Sequence, residues 1–162
     1  MSKDMTVPCE DGFINIRVGA IIMKEGKFLM VGNRDRSGYL YSVGGRLRFG
    51  ETAEEAVVRE VYEETGVSMQ VARLGFVHEN YFYGDSRNNS GKLVYEISFF
   101  YYMNVPDDFE PASMRFTDGK QEAFLYWIAP DDPVKYYPDF FREELKHPAC
   151  EVKHFLSDER SF

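Results

Sequence analysis

The chain has little cysteine, no long apolar run and less positive than negative charge, and each shortage removes a class of protein. Cys9 and Cys150 are the only cysteines in 162 residues. They lie far apart and in no metal-ligand spacing, so neither a disulfide framework nor a zinc site is expected, and reduced thiols in a cytoplasmic protein are the simplest reading. No window approaches the ~18 apolar residues of a membrane span, and the opening MSKDMTVPCEDG has no apolar run of signal-peptide length. Lys and Arg number 19 against 27 Asp and Glu, a formal net charge of −8. Such a surface repels nucleic acid and acidic membranes. A phosphate-bearing ligand would need a local remedy, either a basic pocket or a bound cation. What is abundant is apolar and aromatic surface, with 14 Phe and 11 Tyr. That is enough for a packed core, and with neither repeats nor an interdomain linker, residues 1–162 read as a single domain.

Residues Ile14 to Met23 are rich in β-branched side chains and Lys27 to Arg34 are apolar in the middle, with Lys24-Glu25-Gly26 as a hairpin turn between them. Tyr39 to Val43 reads as a short strand ending at Gly44-Gly45. Thr52 to Thr65 reads as a helix: Thr52 with Glu55 three residues on makes a capping box, and Gly66 is a natural stop. Val67 to Tyr83 reads as one or two strands and Gly84 to Gly91 as a polar loop. From Leu93 to Val105 every odd position is apolar, a strand face at period two. Pro106 to Lys120 reads as a long loop, Ala123 to Ala129 as a core strand and Phe140 to Lys146 as a short helix. Glu151 to Leu156 is ambiguous. Many strands with few helices suggest an α/β or α+β sandwich around one mixed sheet.

The stretch from Gly45 to Val67, GRLRFGETAEEAVVREVYEETGV, carries most of the chemistry. At about 100° per residue, Glu60, Glu63 and Glu64 share one sector of a helix. Ala53 and Ala56 fall in the same sector, where small side chains would leave room for something to lie against the acids. Like charges at these spacings disfavour an isolated helix by a few tenths of a kcal/mol per pair. Arg59, four residues before Glu63, is the one positive charge within the cluster. Hard oxygen ligands converging on a point suit Mg²⁺, while a solvated acidic face is the plainer reading.

The flanking residues tip the balance. The segment resembles the Nudix box, G-x5-E-x7-R-E-U-x-E-E-x-G-U with U a bulky aliphatic residue: Gly45, Glu51, Arg59-Glu60-Val61, Glu63-Glu64 and Gly66-Val67 match without a gap. At average residue frequencies such a match arises roughly once in 10⁹ starting positions. The resemblance implies a Nudix fold, a mixed β-sheet sandwiched between α-helices with the box as loop–helix–loop. It also implies a pyrophosphohydrolase that cleaves the pyrophosphate linkage of a nucleoside diphosphate derivative by water attack on phosphorus, with Mg²⁺ or Mn²⁺ as cofactor.

By the same resemblance Glu60, Glu63 and Glu64 belong to the metals, with the Gly45 carbonyl as a further ligand. Arg59 pairs with neighbouring acids, and Glu51 either joins the metal shell or bonds Arg59. The general base is a box glutamate, Glu60, or an acid of the later loop, with Glu122 as candidate and Asp118 competing. Arg34 and Arg46 are candidates for phosphate contact. Tyr83, with Tyr81 and Phe82, would stack a nucleobase, core packing being the competing reading.

The marks of several Nudix subfamilies are absent. No proline occurs between Pro8 and Pro106, where the ADP-ribose type has one after the box, and the NADH-type and coenzyme-A-type motifs are missing. Tyr83 sits where dinucleoside polyphosphate hydrolases tend to carry a tyrosine, and cleansing of oxidised nucleoside triphosphates is equally compatible. A small-molecule nucleotide is the expected partner, without nucleic acid or membrane, and a homodimer is common among relatives. The alternatives are a non-catalytic Nudix-fold nucleotide-binding or regulatory module, and a metal-binding acidic domain unrelated to catalysis.

Overall fold

The computed structural model describes residues 3–33, 38–85, 89–119 and 121–161. Two short strands open the chain's hairpins: β1 (Thr6–Cys9) folds back on β2 (Gly12–Ile21), and β3 (Met23–Lys24) on β4 (Lys27–Asn33). The β3–β4 turn needs left-handed backbone at both central residues, and Glu25 and Gly26 have φ of 54° and 76°. Next come β5 (Leu40–Arg46), helix α1 (Ala53–Thr65), and the long strands β6 (Gln70–Tyr83) and β7 (Leu93–Asn104). The chain ends with β8 (Arg115–Asp118), β9 (Gln121–Ile128), β10 (Tyr136–Tyr137), the one-turn helix α2 (Phe141–Glu144) and β11 (Lys153–Asp158).

The strands form one mixed sheet in the order β11-β6-β7-β2-β5-β4-β9-β8. The pairs β2–β7, β6–β11 and β5–β10 are parallel and the others antiparallel. Strand β5 joins two halves: Tyr41 and Ser42 pair with β4, whereas Val43 to Arg46 pair with β2. Alternation then sorts side chains to two faces. Val18, Ala20, Leu29, Val31 and Val43 pack with Ala56, Val57 and Val61 of α1 on one face. Ile21, Phe28, Met30, Phe76, Phe100 and Tyr102 pack with Phe141 and Leu145 on the other. Burying each of Val57 and Val61 contributes about 1.5–3 kcal/mol, and a charge at either position would release α1 from the sheet.

Helix α1 forms where local signals agree. Thr52 Oγ1 accepts from the Glu55 N–H, the Glu55 carboxylate accepts from the Thr52 N–H, and Gly66 ends the helix at φ 75°. Several expectations need correction. Strand β5 does not stop before the glycines, because Gly44 and Gly45 pair with Gly19 and Val18 of β2. The supposed loop from Pro106 to Lys120 contains β8, paired with β9. Both faces of β7 are covered near its end, where Phe100 and Tyr102 are as buried as Tyr101 and Met103. The ambiguous C-terminal segment is strand β11, laid parallel on β6.

Candidate active site

Strand β5 and helix α1 meet at Gly44-Gly45, and the two glycines serve different contacts. Gly44, at φ 151°, donates its N–H to Glu64 Oε2 at 2.7 Å, and a methyl group there would lie 2.1 Å from the Val18 carbonyl oxygen. A methyl group on Gly45 would lie 2.4 Å from Glu60 Oε1. Glu60 and Glu64 of the acidic sector are therefore turned onto bare strand backbone, while Glu63 stays half-exposed. Ala56, expected to leave room beside the acids, is fully buried in the core instead.

Glu64 is buried to 6% exposure, and its pKa is raised well above the ordinary carboxylate range. Burial is the main cause, the negative charge of Glu60 adds to it, and the Gly44 N–H works against it. Burial also raises the pKa of Glu60, opposed by the hydrogen bond and charge of Arg59. The charge of Glu63 raises Glu60 and that of Glu60 raises Glu64, and each would be relieved by added positive charge.

Arg59 ties the acids together. Its Nε and Nη2 reach Glu51 Oε1 and Oε2 at 2.7 and 3.1 Å, the bidentate geometry that only a guanidinium offers. Its Nη1 donates to Glu60 Oε1 at 2.9 Å and Glu63 Oε2 at 3.2 Å, and Nη2 to the Arg46 carbonyl at 3.3 Å. Burial alone would lower the Arg59 pKa, but the bonds to Glu51 and Glu60 outweigh it and raise it. Burial likewise works to raise Glu51, and the Arg59 hydrogen bond and charge leave it below its ordinary value. Glu63 is half-exposed and shared with Arg48 at 3.7 Å. Among the described residues no three acidic, His or Cys side chains stand in a ligating array.

Of the two loop acids, strand register separates Asp118 from Glu122. On β9, Ala123 and Leu125 join the α1-side core, so Glu122 points to the opposite face, that of Ile128. There its Oε1 lies 3.0 Å from Arg115 Nε. Asp118 pairs with Gln121, on the same side as Phe116 and Ala123, and its charge is felt by Glu64. Glu122, expected at the end of a loop, thus lies within a strand that begins at Gln121, with its side chain on the face away from α1.

Arg46 and Tyr83 come together. Both line a cavity of about 470 Å³ on the face of the sheet away from α1, together with Arg17, Asn15, His78, Phe82 and Phe100 among others. Tyr81 instead packs on Tyr95, with ring centroids 4.5 Å apart, under the Arg160 guanidinium, which favours the packing reading for that residue. Arg34 lies outside the described residues. A more open cavity of about 720 Å³, near Leu40 and Phe124, holds none of the candidates among the described residues.

Sequence reasoning missed Arg17, Asn15 and His78. Asn15 Nδ2 lies 3.4 Å from Glu96 Oε2, and Arg17 Nε is 3.9 Å from the same oxygen. Because Glu96 only accepts, the Asn15 amide nitrogen must face it. His78 bonds Ser157 Oγ at 2.9 Å, and burial pushes its pKa down to about 4. A charged Arg17 inside an otherwise apolar strand was the one available signal.

The model of the NUDIX domain matches residues 14–148. The chain belongs to the NUDIX domain family. Among curated relatives, a MutT-like protein of Streptomyces ambofaciens is 37% identical over 38% of this chain and 40% of its own. An ADP-ribose pyrophosphatase of Methanocaldococcus jannaschii is 41% identical over 36% of each. The NUDIX chain thus spans about two fifths of the length of these relatives. Among solved structures, a MutT NUDIX hydrolase from Burkholderia pseudomallei is 24% identical, with a TM-score of 0.61 over 84% of this chain and 98% of its own. That likeness establishes the α/β fold, a mixed sheet with few helices.

Proposed function

We propose that this NUDIX chain, working as one domain, is a pyrophosphohydrolase that hydrolyses the pyrophosphate linkage of a small nucleoside diphosphate derivative with Mg²⁺ or Mn²⁺. The observation that carries the reading is the packing of Glu60 and Glu64 against Gly44-Gly45, where burial raises the pKa of both and the charge of Glu60 raises Glu64 further. Crowded carboxylate oxygens beside a backbone carbonyl are a donor set that suits a hard divalent cation. Glu60, Glu63, Glu64 and the Gly45 carbonyl would hold the ion. When bound, it would supply charge neutralisation at the pyrophosphate and a more acidic water.

The chain's own groups would do the rest. Arg59, gripped by Glu51, orients Glu60 and Glu63 and ties the helix to the Arg46 backbone. Asp118 is the better candidate to take the proton from the attacking water, because its side of β8 faces α1, and Glu60 is the alternative. The ADP-ribose pyrophosphatase among the relatives puts ADP-ribose into the substrate set to be tried, although the proline mark of that type is missing here.

The test is a panel of nucleoside triphosphates (oxidised ones included), ADP-ribose, diadenosine polyphosphates, nucleotide sugars, NADH and coenzyme A, run with Mg²⁺, Mn²⁺ or chelator. Hydrolysis of at least one member, lost in chelator and lost in a folded Glu64→Gln variant, is the expected outcome. Full activity in Glu64→Gln would sink the metal assignment.

A further inference from the structure

Arg17 of β2 and Arg46 of β5 are direct partners in the antiparallel ladder, so both side chains leave the same face of the sheet. Cross-strand neighbours stand about 4.5–5.5 Å apart at Cβ, and like charges so placed destabilise a sheet. The Glu96 carboxylate stands 3.9 Å from Arg17 Nε, yet in a chain of net charge −8 two adjacent guanidiniums are a local exception. Both line the cavity of about 470 Å³, at the same end of β2 and β5 as the glycines on which Glu60 and Glu64 rest. Arg17 is close enough to those glutamates that its charge lowers the pKa of each. Arg46 is fixed from the other side, since its carbonyl accepts from Arg59.

The remaining wall has a different character. Asn15, Asn80 and Ser98 offer uncharged polar groups, His78 is neutral near pH 7, and Phe82, Tyr83 and Phe100 offer ring faces. Asp85, Glu96, Asp139 and Glu159 offer carboxylates that can accept from hydroxyl and amino groups. A volume of this size falls in the range of small-molecule sites, about 300–1,000 Å³. Two adjacent cations at one end, with ring faces and hydrogen-bonding groups beyond them, match a nucleoside that carries a phosphoryl group.

We propose that Arg17 and Arg46 form a cross-strand clamp for the phosphoryl group attached to the nucleoside, with the nucleoside itself in the cavity on the opposite face of the sheet from the glutamate helix. The clamp rests on the proposed hydrolysis only in taking the ligand to be the substrate's nucleotide half. Both arginines are positioning residues that grip a non-reacting part of the substrate.

The test measures binding without turnover. Titration calorimetry in chelator compares AMP, GMP, CMP and UMP with the four unphosphorylated nucleosides, on the wild-type chain and on Arg17→Gln and Arg46→Gln. The wild type should bind at least one monophosphate about tenfold or more tighter than its nucleoside. Each variant should lose most of that gap while binding the nucleoside unchanged. Melting temperatures should not fall by more than a few degrees, since each substitution also removes a like-charge repulsion, and Arg46→Lys should keep part of the gap. A wild type that prefers no monophosphate over its nucleoside overturns the clamp, as do variants that keep the full preference. Because no divalent ion is present, loss of the clamp and loss of the hydrolytic reading are separate results.

Discussion

Strands β2 and β5 present two unlike faces through the same few residues. Toward α1 they offer bare backbone at Gly44 and Gly45, onto which two carboxylates are buried. Toward the cavity they offer Arg17, Arg46 and Asn15. One face gathers carboxylates until it wants a cation, and the other sets two guanidiniums side by side in an acidic protein. The alternation of a strand keeps these opposed demands on separate faces a few ångströms apart, with Arg17 still felt by both glutamates. The division suggests that bond cleavage and substrate grip are governed by separable sets of residues.

The sharpest break in that division would come from the helix side. Glu60→Gln should lower turnover by about 10²–10³-fold and leave monophosphate binding in chelator within about twofold. Steady-state kinetics and calorimetry on the same preparation check both halves, and a parallel loss of binding would mean that the faces are not separable. Next in size, Asp118→Asn should cost about 10²-fold in turnover while Glu122→Gln stays within about threefold. The reverse order would return the base to the residue paired with Arg115.

On the cavity face the leverage is pH. His78 has a pKa of about 4 when folded against 6.5 as a free side chain. Between those values the unfolded chain binds the extra proton, so stability is full above about pH 6.5 and declines as pH falls toward 4. The loss amounts to up to about 3 kcal/mol. Thermal melts from pH 7 to pH 4 should show a steeper fall for the wild type than for His78→Gln. Smallest of these effects, Arg59→Lys gives up the bidentate grip on Glu51 and should cost about 1–2 kcal/mol, discounted for partial exposure. Denaturant unfolding measures it, and an unchanged midpoint would show that Lys reproduces the contact.

Helix α1 was readable in advance because everything that defines it is local, from the Thr52–Glu55 capping box to Gly66. The box residues were readable for the same reason, since they occupy one continuous segment. What escaped depends on pairing between distant parts of the chain. Strand β10 is two residues long and exists only by lying on β5, and β8 is defined by its register with β9. The glycines looked like a strand end, yet they continue β5 because β2 comes close enough to pair with them. Arg17 could not be coupled to Arg46 without knowing which strands are neighbours. Glu122 looked like a loop residue, whereas β9 already begins at Gln121 and its alternation sets that side chain on the face away from α1.

Gly44 and Gly45 also make a statement about how this chain can change. Any side chain at position 44 meets the Val18 carbonyl and must adopt backbone at φ 151°, so the damage falls on strand pairing. A side chain at position 45 meets the far end of the Glu60 side chain, which can swing aside. In a library scored separately for cellular abundance and for hydrolysis, adjacent codons should therefore part ways. Alanine at 44 should deplete the protein itself, whereas alanine at 45 should leave a well-expressed protein with little activity. Equal abundance scores for the two would show that the sheet can absorb the first change as easily as the helix absorbs the second.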